Sequence, residues 1–320
     1  MALQEIRIED LDPQAFIEEE VSAIAAAVDR TAINALSGGV DSAVVTMLGH
    51  KALGDRLKTV FVENGLMREG EAECVASLFE GFGVPVEVVD ARDEFFAALA
   101  GVTDPEQKRE AITQTFYKAV FGRLVRDSGA THLLQGTNYT DVEETVAGVK
   151  RQHNILAQLG IDTEAQFGYT VVEPIIRLRK SGVRAVGRAL GLPASTYERP
   201  PFPGPALAAR VIGEVTPERV ALVRAATTIV EDELASSGAF QYLAILHEDR
   251  VTGVRDGRRD FGFQVEVRCW ESTDALIGTP TRLAFDVLER LAERITTEVP
   301  GVVSVTYNIT TKPPSTIEAV

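Results

Sequence analysis

The stretch INALSGGVDSAVVTML, residues 33–48, joins two apolar runs through the turn SGGVDS. The residues TAINAL at 31–36 are typical of a short buried strand, and the apolar spacing after Asp41 is that of a helix. A strand that turns through glycines into a helix presents backbone N–H groups and a helix N-terminus to an anion. The stretch therefore predicts a phosphate-binding loop at Ser37–Ser42.

The side chains of this loop suit phosphate and a metal ion. Gly38 and Gly39 permit a close approach of the backbone, and the hydroxyls of Ser37 and Ser42 are hydrogen-bond donors. Asp41 is a candidate ligand for Mg²⁺. The loop lacks the lysine of the pattern GxxxxGKS/T, which follows the β- and γ-phosphates during γ-phosphoryl transfer. On the residues alone, a Gly/Ser cap between a strand and a helix remains the alternative.

Composition narrows the class of protein. The 320 residues suffice for two domains, and their 45% hydrophobic content suffices for real cores. No apolar stretch approaches the roughly 20 residues of a membrane span, and the acidic N-terminus lacks the pattern of a signal peptide. Cys74 and Cys269 form no CxxC pair, which argues against a disulfide framework or a metal knuckle. We expect a cytoplasmic protein that crosses no membrane.

The charge of the chain is strongly acidic. A net charge of −15 argues against a sequence-independent nucleic-acid surface, which needs a basic field. Only seven of the 32 basic residues are lysines, a composition that adaptation to high salt would explain without reference to activity. We therefore expect no nucleic-acid partner.

Strands and helices alternate in the N-terminal part of the chain. Strands are predicted at 31–36, 56–63, 85–91 and 131–137, and helices at 14–28, 41–53, 71–82 and 105–128. This order predicts an α/β fold with a doubly wound parallel sheet. Because ligands bind at the carboxyl ends of such strands, the segments SGGVDS, VENG and QGTN are expected to gather there.

The pattern changes after residue 193. The segment RPPFPGPA at 199–206 has too many prolines for a helix or a central strand. A helix follows, with Pro217 in its first position after Thr216 as N-cap. Two alternating runs, FQYLAILH and FGFQVEVRCW, a final helix at 279–298 and a strand VVSVTYNIT complete a smaller α+β domain. We place the two domains at 1–197 and 198–320.

The turn SGGVDS after a first strand resembles the pyrophosphate loop (PP-loop) of the ATP pyrophosphatases, which have an adenine nucleotide alpha-hydrolase-like fold. These enzymes split ATP between the α- and β-phosphates and adenylate an acceptor oxygen. Five more segments, in the family's order and over nearly the whole chain, resemble the ATP pyrophosphatase subunit of GMP synthase. They are VFVENGLMREGEAE (60–73), ALAGVTDPEQKR (98–109), QGTNYTDVEE (135–144), RPPFPGPALAARVIGEVT (199–216) and ITTKPPSTIE (309–318).

This resemblance implies a ligase of purine biosynthesis that uses ATP and Mg²⁺. In the family, ATP adenylates the C2 oxygen of xanthosine 5′-monophosphate (XMP), and ammonia then displaces AMP to leave GMP. The residues implied as nucleotide contacts are Ser37, Gly38, Gly39, Val40, Ser42, Val62, Gly136 and Asp141. Asp41 would hold Mg²⁺ and act in catalysis. For Asp141 the alternative is a carboxylate that stabilises a helix N-terminus.

Lys150 matches the lysine of the family's lid, with Gly148 as its hinge, and is implied as a second catalytic residue. A lysine over a triphosphate neutralises the charge that develops on the leaving group. The alternative for Lys150 is a solvated loop tip. His153, in the same segment, is a weaker candidate, because a lone histidine is often a packed or solvent-bridging side chain.

For the acceptor, the resemblance implies a turn with Arg199 and Gly204 that contacts XMP, and a C-terminal clamp of Lys312, Ile317 and Glu318. A lysine near a phosphate and a glutamate near a purine edge make charge-assisted hydrogen bonds. The alternative for the clamp is a structural tail packed on the sheet.

The resemblance also implies partners. The family's second domain forms a dimer interface, so we expect a homodimer, with Arg258 and Arg268 as surface or dimer contacts. Neither cysteine sits in the nucleophile elbow of a glutaminase. A separate glutamine amidotransferase subunit would therefore supply the ammonia.

Several positions depart from the family's pattern. Gln152 and Pro200 replace histidines, Ile176 an arginine, Ser181 an aspartate, Ala206 a glycine, and Ala319-Val320 a Trp-Glu pair. They leave two alternatives open. One is a related ATP pyrophosphatase that adenylates another acceptor, for amidation or sulfur transfer, and the other is a nucleotide-binding regulator without turnover. For sulfur transfer Cys74 is the candidate, although its helical setting favours a place in the core.

Overall fold

A computed structural model describes residues 3–146, 169–199, 202–255, 257–273 and 275–319 of the protein. The chain divides into two compact units. Unit 1 contains Met1–Glu63, Glu71–Asp90 and Phe116–Arg199, and unit 2 contains Asn64–Gly70, Ala91–Thr115 and Pro200–Val320. Two segments from the first half of the chain thus belong to unit 2. The domain limits placed at 1–197 and 198–320 stay a prediction.

Unit 1 is built on a five-stranded parallel sheet in the order β3-β2-β1-β4-β5. The strands are β1 (Ala32–Ala35), β2 (Leu57–Glu63), β3 (Val86–Asp90), β4 (His132–Leu134) and β5 (Thr170–Val172). The α/β fold with a parallel sheet is therefore confirmed. Strand β5, of three residues, was not predicted from the sequence.

The helices predicted at 14–28, 41–53 and 71–82 begin and end within about two residues of the observed ones. In chain order the described helices are α1 (Pro13–Ala27), α2 (Val40–Leu53), α3 (Glu71–Glu80), α4 (Arg92–Leu99), α5 (Pro105–Gln114), α6 (Gly122–Ser128), α7 (Tyr139–Val146), α8 (Lys180–Ala189), α9 (Ala194–Tyr197), α10 (Pro217–Leu234) and α11 (Phe285–Glu298). Helix α1 shows why the start of a helix can be predicted from sequence. Asp12, its N-cap, accepts hydrogen bonds from the backbone N–H groups of Gln14 and Ala15, and Pro13 takes the first position.

The position of β1 in the sheet creates the site. It pairs with β2 on one side and β4 on the other, so the strand order reverses between β1 and β4. Open α/β sheets bind ligands at this point, outside the carboxyl ends of the strands. Two buried hydrogen bonds connect the elements at this point: Thr59 Oγ1 donates to Asn34 Oδ1 at 2.8 Å, and Asn34 Nδ2 donates to Thr46 Oγ1 at 2.6 Å. These hydrogen bonds join α2 to β1 and β2.

The single long helix predicted at 105–128 is interrupted. Between α5 and α6 the backbone of Thr115–Phe121 is a π-helix, a conformation that occurs often at functional sites. Phe116 and Phe121, five positions apart, stack with their planes within 6° of parallel. The apolar pattern of the sequence is compatible with an α-helix throughout, so it does not reveal the wider turn.

Unit 2 contains a sheet of four strands: β6 (Gln241–Arg255), β7 (Arg258–Glu271), β8 (Thr279–Pro280) and β9 (Val302–Tyr307). Strands β6 and β8 are antiparallel to β7, whereas β9 is parallel to it. The predicted cap of α10 is confirmed, with Thr216 Oγ1 accepting the N–H of Arg219 and Pro217 in the first position. The helix predicted at 279–298 is wrong at its start, because Thr279–Pro280 pair with β7 and α11 begins at Phe285.

Each unit has its own apolar core. In unit 1, Ile33 and Val60 of the central strands pack with Phe121. In unit 2, Leu243 and Ile245 of β6 pack with other buried side chains, Trp270 and Ile317. None of the helices that the structure describes has both the length and the apolar character needed to cross a membrane.

Candidate active site

The predicted phosphate loop at Ser37–Ser42 leads from β1 into α2. Gly38 has a φ of +79°, in the left-handed region that favours glycine. A Cβ at Gly38 would lie 2.6 Å from Oε1 of Glu71 and 3.2 Å from Cγ2 of Val75. Both the backbone conformation and the space at this position therefore require glycine.

The two serines hold the shape of the loop. Ser42 Oγ donates to the carbonyl of Gly39 at 2.9 Å and accepts the backbone N–H of Ser37 at 3.1 Å. The hydroxyls of Ser37 and Ser42 lie 3.0 Å apart and share a further hydrogen bond. Helix α2 starts at Val40 with Gly39 as N-cap. The first N–H groups of a helix have no partner within it, so this turn can bind an anion.

Asp41, in the first turn of α2, pairs with a lysine from another helix. Its Oδ2 accepts a hydrogen bond from Nζ of Lys180 at the start of α8. Its Oδ1 is buried and has no hydrogen-bond partner among the residues that the structure describes. A buried carboxylate oxygen without a partner is unfavourable, and carboxylate oxygen is a ligand that Mg²⁺ prefers. Asp41 therefore fits the magnesium role predicted for it.

A pocket of about 170 Å³ opens beside the loop. Its lining comes from the phosphate loop, the end of β4 and the π-helix, and consists of Ala35, Ser37, Gly39, Asp41, Ser42, Phe116, Tyr117, Phe121, Leu133, Leu134, Gln135 and Gly136. Tyr117 meets Phe116 edge-on, with the ring centroids 5.0 Å apart. Burial raises the pKa of Tyr117 above its ordinary value, so its phenol stays neutral. Aromatic rings beside an anion-binding loop suit a nucleotide, since they offer apolar surface to the base.

The other predicted nucleotide contacts lie on β2 and after β4. Val62 is buried in β2, and a Cβ at Gly136 would lie 3.4 Å from the backbone at the start of α2. Asp141 Oδ2 accepts the N–H of Asn138 at 3.0 Å, and Asn138 Oδ1 accepts the N–H of Asp141 at 3.2 Å. This reciprocal pair caps α7. It is the helix-stabilising role weighed as the alternative, and a nucleotide contact by Asp141 stays a prediction.

Arg199 pairs with Glu71, the carboxylate next to Gly38 of the phosphate loop, within unit 1. Its two terminal nitrogens donate to Oε1 and Oε2 of Glu71 at 2.5 and 2.6 Å. The Glu71 side chain is only 4% exposed, and its Oε1 is the atom nearest to a Cβ at Gly38. Bidentate pairs of this kind fix geometry as well as charge. Contact of Arg199 with an acceptor stays a prediction.

The residues predicted as a C-terminal clamp are bound within unit 2. Nζ of Lys312 donates to the carbonyl of Ala275 at 2.6 Å. Ile317 is 7% exposed and packs in the core with Trp270. Glu318 accepts hydrogen bonds from two other side chains of unit 2. These contacts are those of the structural tail weighed as the alternative, and a role of the three residues in binding an acceptor stays a prediction.

The turn that contains Gly204 is followed by a strained residue. The N–H of Ala206 donates to the carbonyl of Pro203 at 2.9 Å and closes the turn. Ala206 has a φ of +54°, a left-handed conformation that costs an L-residue about 1–2 kcal/mol. The resemblance expects glycine at this position, and the positive φ gives that expectation a physical reason.

Two interpretations of single residues are wrong. Arg268 is 9% exposed and donates to Glu266 Oε1 at 2.5 Å and to the carbonyl of Thr316 at 2.7 Å. It is a buried anchor of the C-terminal segment and not a surface residue, while a dimer contact by Arg268 stays a prediction. Cys74 is exposed on α3 and does not belong to the core. The lid residues Lys150, Gly148 and His153 lie outside the described residues.

Three parts of the site were missed by reasoning from the sequence. Lys180 reaches Asp41, and Glu71 supports Gly38, yet each is a single charged residue remote from the loop along the chain. Only the folded sheet brings such residues together. The third part is the set of aromatic residues that line the pocket, Phe116, Tyr117 and Phe121. The run TFYKAVF at 115–121, with three aromatic residues among seven, was a weak sign of them.

Two segments that carry the resemblance meet in unit 2. Nζ of Lys108, a fully buried side chain, donates to the carbonyl of Val211 at 2.8 Å. The N–H of Gly101 donates to Oε1 of Glu214 at 2.7 Å. Burial and the nearby guanidinium of Arg219 lower the pKa of Lys108 to about 8. The segment at 98–109 thus holds the segment at 199–216 in place.

Two family models match parts of the chain. The NAD synthase family model matches residues 12–204, which include the phosphate loop and the parallel sheet. The model of the GMP synthase C-terminal domain matches residues 228–319.

Individual relatives resemble the chain over almost its whole length. One subunit of the glutamine-hydrolyzing GMP synthase from Archaeoglobus fulgidus is 47% identical, over 96% of this chain and 99% of that protein. The corresponding subunit from Methanothermobacter thermautotrophicus is 44% identical, also over 96% of this chain and 99% of that protein. The glutamine-hydrolyzing GMP synthase of Thermomicrobium roseum is 44% identical over 95% of this chain, but the match spans only 60% of that longer protein. The chain therefore belongs to the family of these GMP synthase subunits.

Proposed function

We propose that the protein converts XMP to GMP with ATP and ammonia. The C2 oxygen of XMP attacks the α-phosphorus of ATP, the bond to the β-phosphate breaks, and pyrophosphate leaves. Ammonia then attacks C2, and AMP departs with the former C2 oxygen. The relatives' names supply the product GMP, and the geometry of unit 1 suits cleavage of ATP.

The observation that carries the proposal is the phosphate loop at the reversal of strand order. Its backbone is left-handed at Gly38, where the buried carboxylate of Glu71 leaves no room for a side chain, and the loop ends at the N-terminus of α2. Charge grows on pyrophosphate as the bond to the α-phosphate breaks. Fixed N–H groups at a helix N-terminus stabilise such charge without reorganising.

Magnesium is part of the proposal. Asp41 would hold the ion through Oδ1, the buried oxygen to which no described residue donates. When bound, the ion would neutralise phosphate charge. Lys180 pairs with the other oxygen of the same carboxylate and would donate to a phosphate oxygen from there. Lys150 is proposed as the lid lysine on the resemblance alone.

We infer that glutamine is hydrolysed on a separate subunit. Relatives of the same length are each named as one subunit of the enzyme, and the longer relative extends beyond the part that this chain matches. Ammonia made elsewhere would then reach the adenylated acceptor on this chain. Free ammonium salts should therefore replace glutamine in an assay of the purified chain.

We further propose a homodimer formed through unit 2. Large apolar side chains of this unit are exposed, among them Val254 and Phe261 on the β6–β7 hairpin, Phe285 and Ile309. Such exposure is typical of surfaces that a protein partner covers. Sedimentation of the full chain tests the proposal, with a dimer expected and a monomer at micromolar concentration contradicting it.

A cytoplasmic location is also proposed, because ATP is held inside the cell.

The test of the function is pyrophosphate release by the purified chain with Mg-ATP and ammonia, with and without XMP. Wild type should release pyrophosphate only with XMP. Asp41→Ala should lower this rate about 100- to 1,000-fold, because it removes a group that stabilises the transition state. Asp55→Ala, an exposed aspartate beyond the other end of α2, is the matched control and should keep full activity.

The two alternatives predict different results in the same assay. Pyrophosphate release that ignores XMP would favour an ATP pyrophosphatase acting on another acceptor. Binding of ATP without any release of pyrophosphate would favour a nucleotide-binding regulator. Full activity of Asp41→Ala would show that the loop assignment is wrong.

A further inference from the structure

Arg210 is a charged side chain buried in unit 2. It ends the short 3₁₀-helix Ala206–Arg210 and is 1% exposed. A buried guanidinium is costly unless its charge is paired. Nη1 of Arg210 is buried with no hydrogen-bond partner among the described residues, whereas Nε and Nη2 are paired. The contacts of Arg210 therefore show what the side chain does.

One contact is with the C-terminal carboxylate predicted to read the acceptor. Nε and one terminal nitrogen of Arg210 donate to the two oxygens of Glu318, both at 3.2 Å. Nε2 of Gln241 donates to Oε1 of the same carboxylate at 2.7 Å. Each oxygen of Glu318 thus has a protein donor and keeps lone-pair capacity for a ligand. The orientation of the carboxylate is fixed before any ligand arrives.

The other contact is with the turn around Gly204, which is also predicted to bind the acceptor. The Arg210 guanidinium lies 4.9 Å from the ring centroid of Phe202, two residues before Gly204. Arg68 contacts the same ring at 3.9 Å and is itself paired with Glu231 at 2.6 Å. Cations near an aromatic ring stabilise its position. One guanidinium therefore touches both segments to which acceptor binding is assigned.

We propose that Arg210 is the positioning residue of the acceptor site. It sets the carboxylate of Glu318 and the turn around Gly204 in one arrangement, so that both meet a purine nucleotide monophosphate at once. The proposal rests on the proposed function, because it assumes that Glu318 and Gly204 contact XMP. Arg210 acts through these groups and does not itself touch the acceptor.

The planar fork of arginine is essential to this role. Lysine at position 210 would keep the charge but offer a point donor, which cannot hold both oxygens of a carboxylate. Arg210→Lys should therefore raise the KM for XMP about 10- to 100-fold, the range expected for one lost charge-assisted hydrogen bond. The KM for ATP should change less than about threefold, since the contacts of Arg210 with Glu318 and Phe202 lie within unit 2.

The experiment compares Arg210→Lys, Glu318→Gln and the double variant by steady-state kinetics with XMP and with ATP varied separately. If Arg210 acts through Glu318, the double variant should be no worse than the worse single one. Arg224→Lys is the control, because the Arg224 guanidinium likewise donates two hydrogen bonds within unit 2, but to the backbone carbonyls of Gly65 and Met67 and not to Glu318. It should leave the KM for XMP unchanged.

A second readout separates positioning from loss of structure. Trp270 is the one tryptophan of the sequence and packs with Ile317, next to Glu318. Its fluorescence should be the same in Arg210→Lys and in wild type, because the segment stays in place. A red shift together with a raised KM would show that Arg210 merely seats the segment, and this would overturn the proposal. Equal effects on the two KM values, or additive single variants, would overturn it as well.

Phe202→Leu provides a test that spares the buried charge. Removing the ring leaves the pair with Glu318 but loosens the turn, so the KM for XMP should rise about two- to fivefold. A wild-type chain that makes no GMP would refute the proposed function, and this proposal with it. A wild type that makes GMP, with Arg210→Lys and Phe202→Leu unchanged in KM, would refute the present proposal alone.

Discussion

Replacement of Gly38 by alanine should destabilise unit 1, because position 38 combines a left-handed backbone with a buried carboxylate. At a φ of +79° an L-residue costs about 1–2 kcal/mol more than in its ordinary conformation. The new Cβ would also lie 2.6 Å from Oε1 of Glu71, closer than real Cβ contacts. Glu71 cannot swing aside freely, because it is 5% exposed and bound by two hydrogen bonds from Arg199.

Relief of the clash would weaken at least one of these charged hydrogen bonds, each worth about 1.5–3 kcal/mol. Together with the backbone cost, Gly38→Ala should lower the free energy of unfolding by about 2–4 kcal/mol. Pyrophosphate release should fall with it, since the loop that binds the leaving group is displaced. Urea denaturation followed by circular dichroism measures the stability, and the XMP-dependent assay measures the activity.

Gly39→Ala is the matched control in the same loop. Gly39 has a φ of −80°, and among the described residues a Cβ there would meet only the Ser37 hydroxyl at 3.5 Å, an ordinary contact. Its cost should stay within the roughly 1 kcal/mol that separates alanine from good N-cap residues. Equal stability losses for the two variants would refute the argument. So would a Gly38→Ala loss that is unchanged in a Glu71→Ala background, where the obstacle is gone.

Two further predictions concern charged groups. Lys180→Ala should reduce the rate of pyrophosphate release and raise the KM for Mg-ATP, because Lys180 contacts Asp41 of the phosphate loop. The KM for XMP should stay unchanged. Steady-state kinetics test this, and a larger effect on the KM for XMP than on that for Mg-ATP would contradict it. Burial acts to raise the pKa of Glu266, but hydrogen bonds from His247, Asn308 and Arg268 outweigh it and lower the pKa to about 2. A depressed carboxylate stabilises the folded state above its unfolded pKa near 4.3, and this contribution should disappear as the pH falls from about 4.5 to about 2. Between these pH values the free energy of unfolding, measured by urea denaturation, should therefore change more steeply with pH for wild type than for Glu266→Gln. Identical slopes would contradict the lowered pKa of Glu266.

Much of the architecture could be predicted because its signals are local. The strand before Ser37 and the helix after it follow from apolar spacing, and the cap of α10 follows from Thr216 and Pro217. Gly38 was predictable as a loop glycine, but not as the glycine that faces a buried carboxylate. That requirement comes from Glu71, which approaches only when α3 packs beside the loop.

The rest depends on contacts between distant parts of the chain. Nothing local distinguishes Lys180, which pairs with Asp41, from other lysines on a helix. Ile317 was predicted at a ligand, yet its side chain is in the core, since an apolar residue near the C-terminus fits either place. Thr279 and Pro280 pair with β7 as strand β8, so α11 begins only at Phe285, whereas helix propensity alone extends that helix too far toward the N-terminus.

In the proposed reaction, ATP adenylates the C2 oxygen of XMP. The most direct test of this step is turnover of XMP labelled with ¹⁸O at C2, with Mg-ATP and ammonia, followed by mass spectrometry of the AMP. If the chain adenylates this oxygen and ammonia then displaces AMP, each AMP carries one ¹⁸O atom in its phosphate and one GMP forms for each pyrophosphate. AMP without the label, or pyrophosphate formed equally well without XMP, would contradict the account.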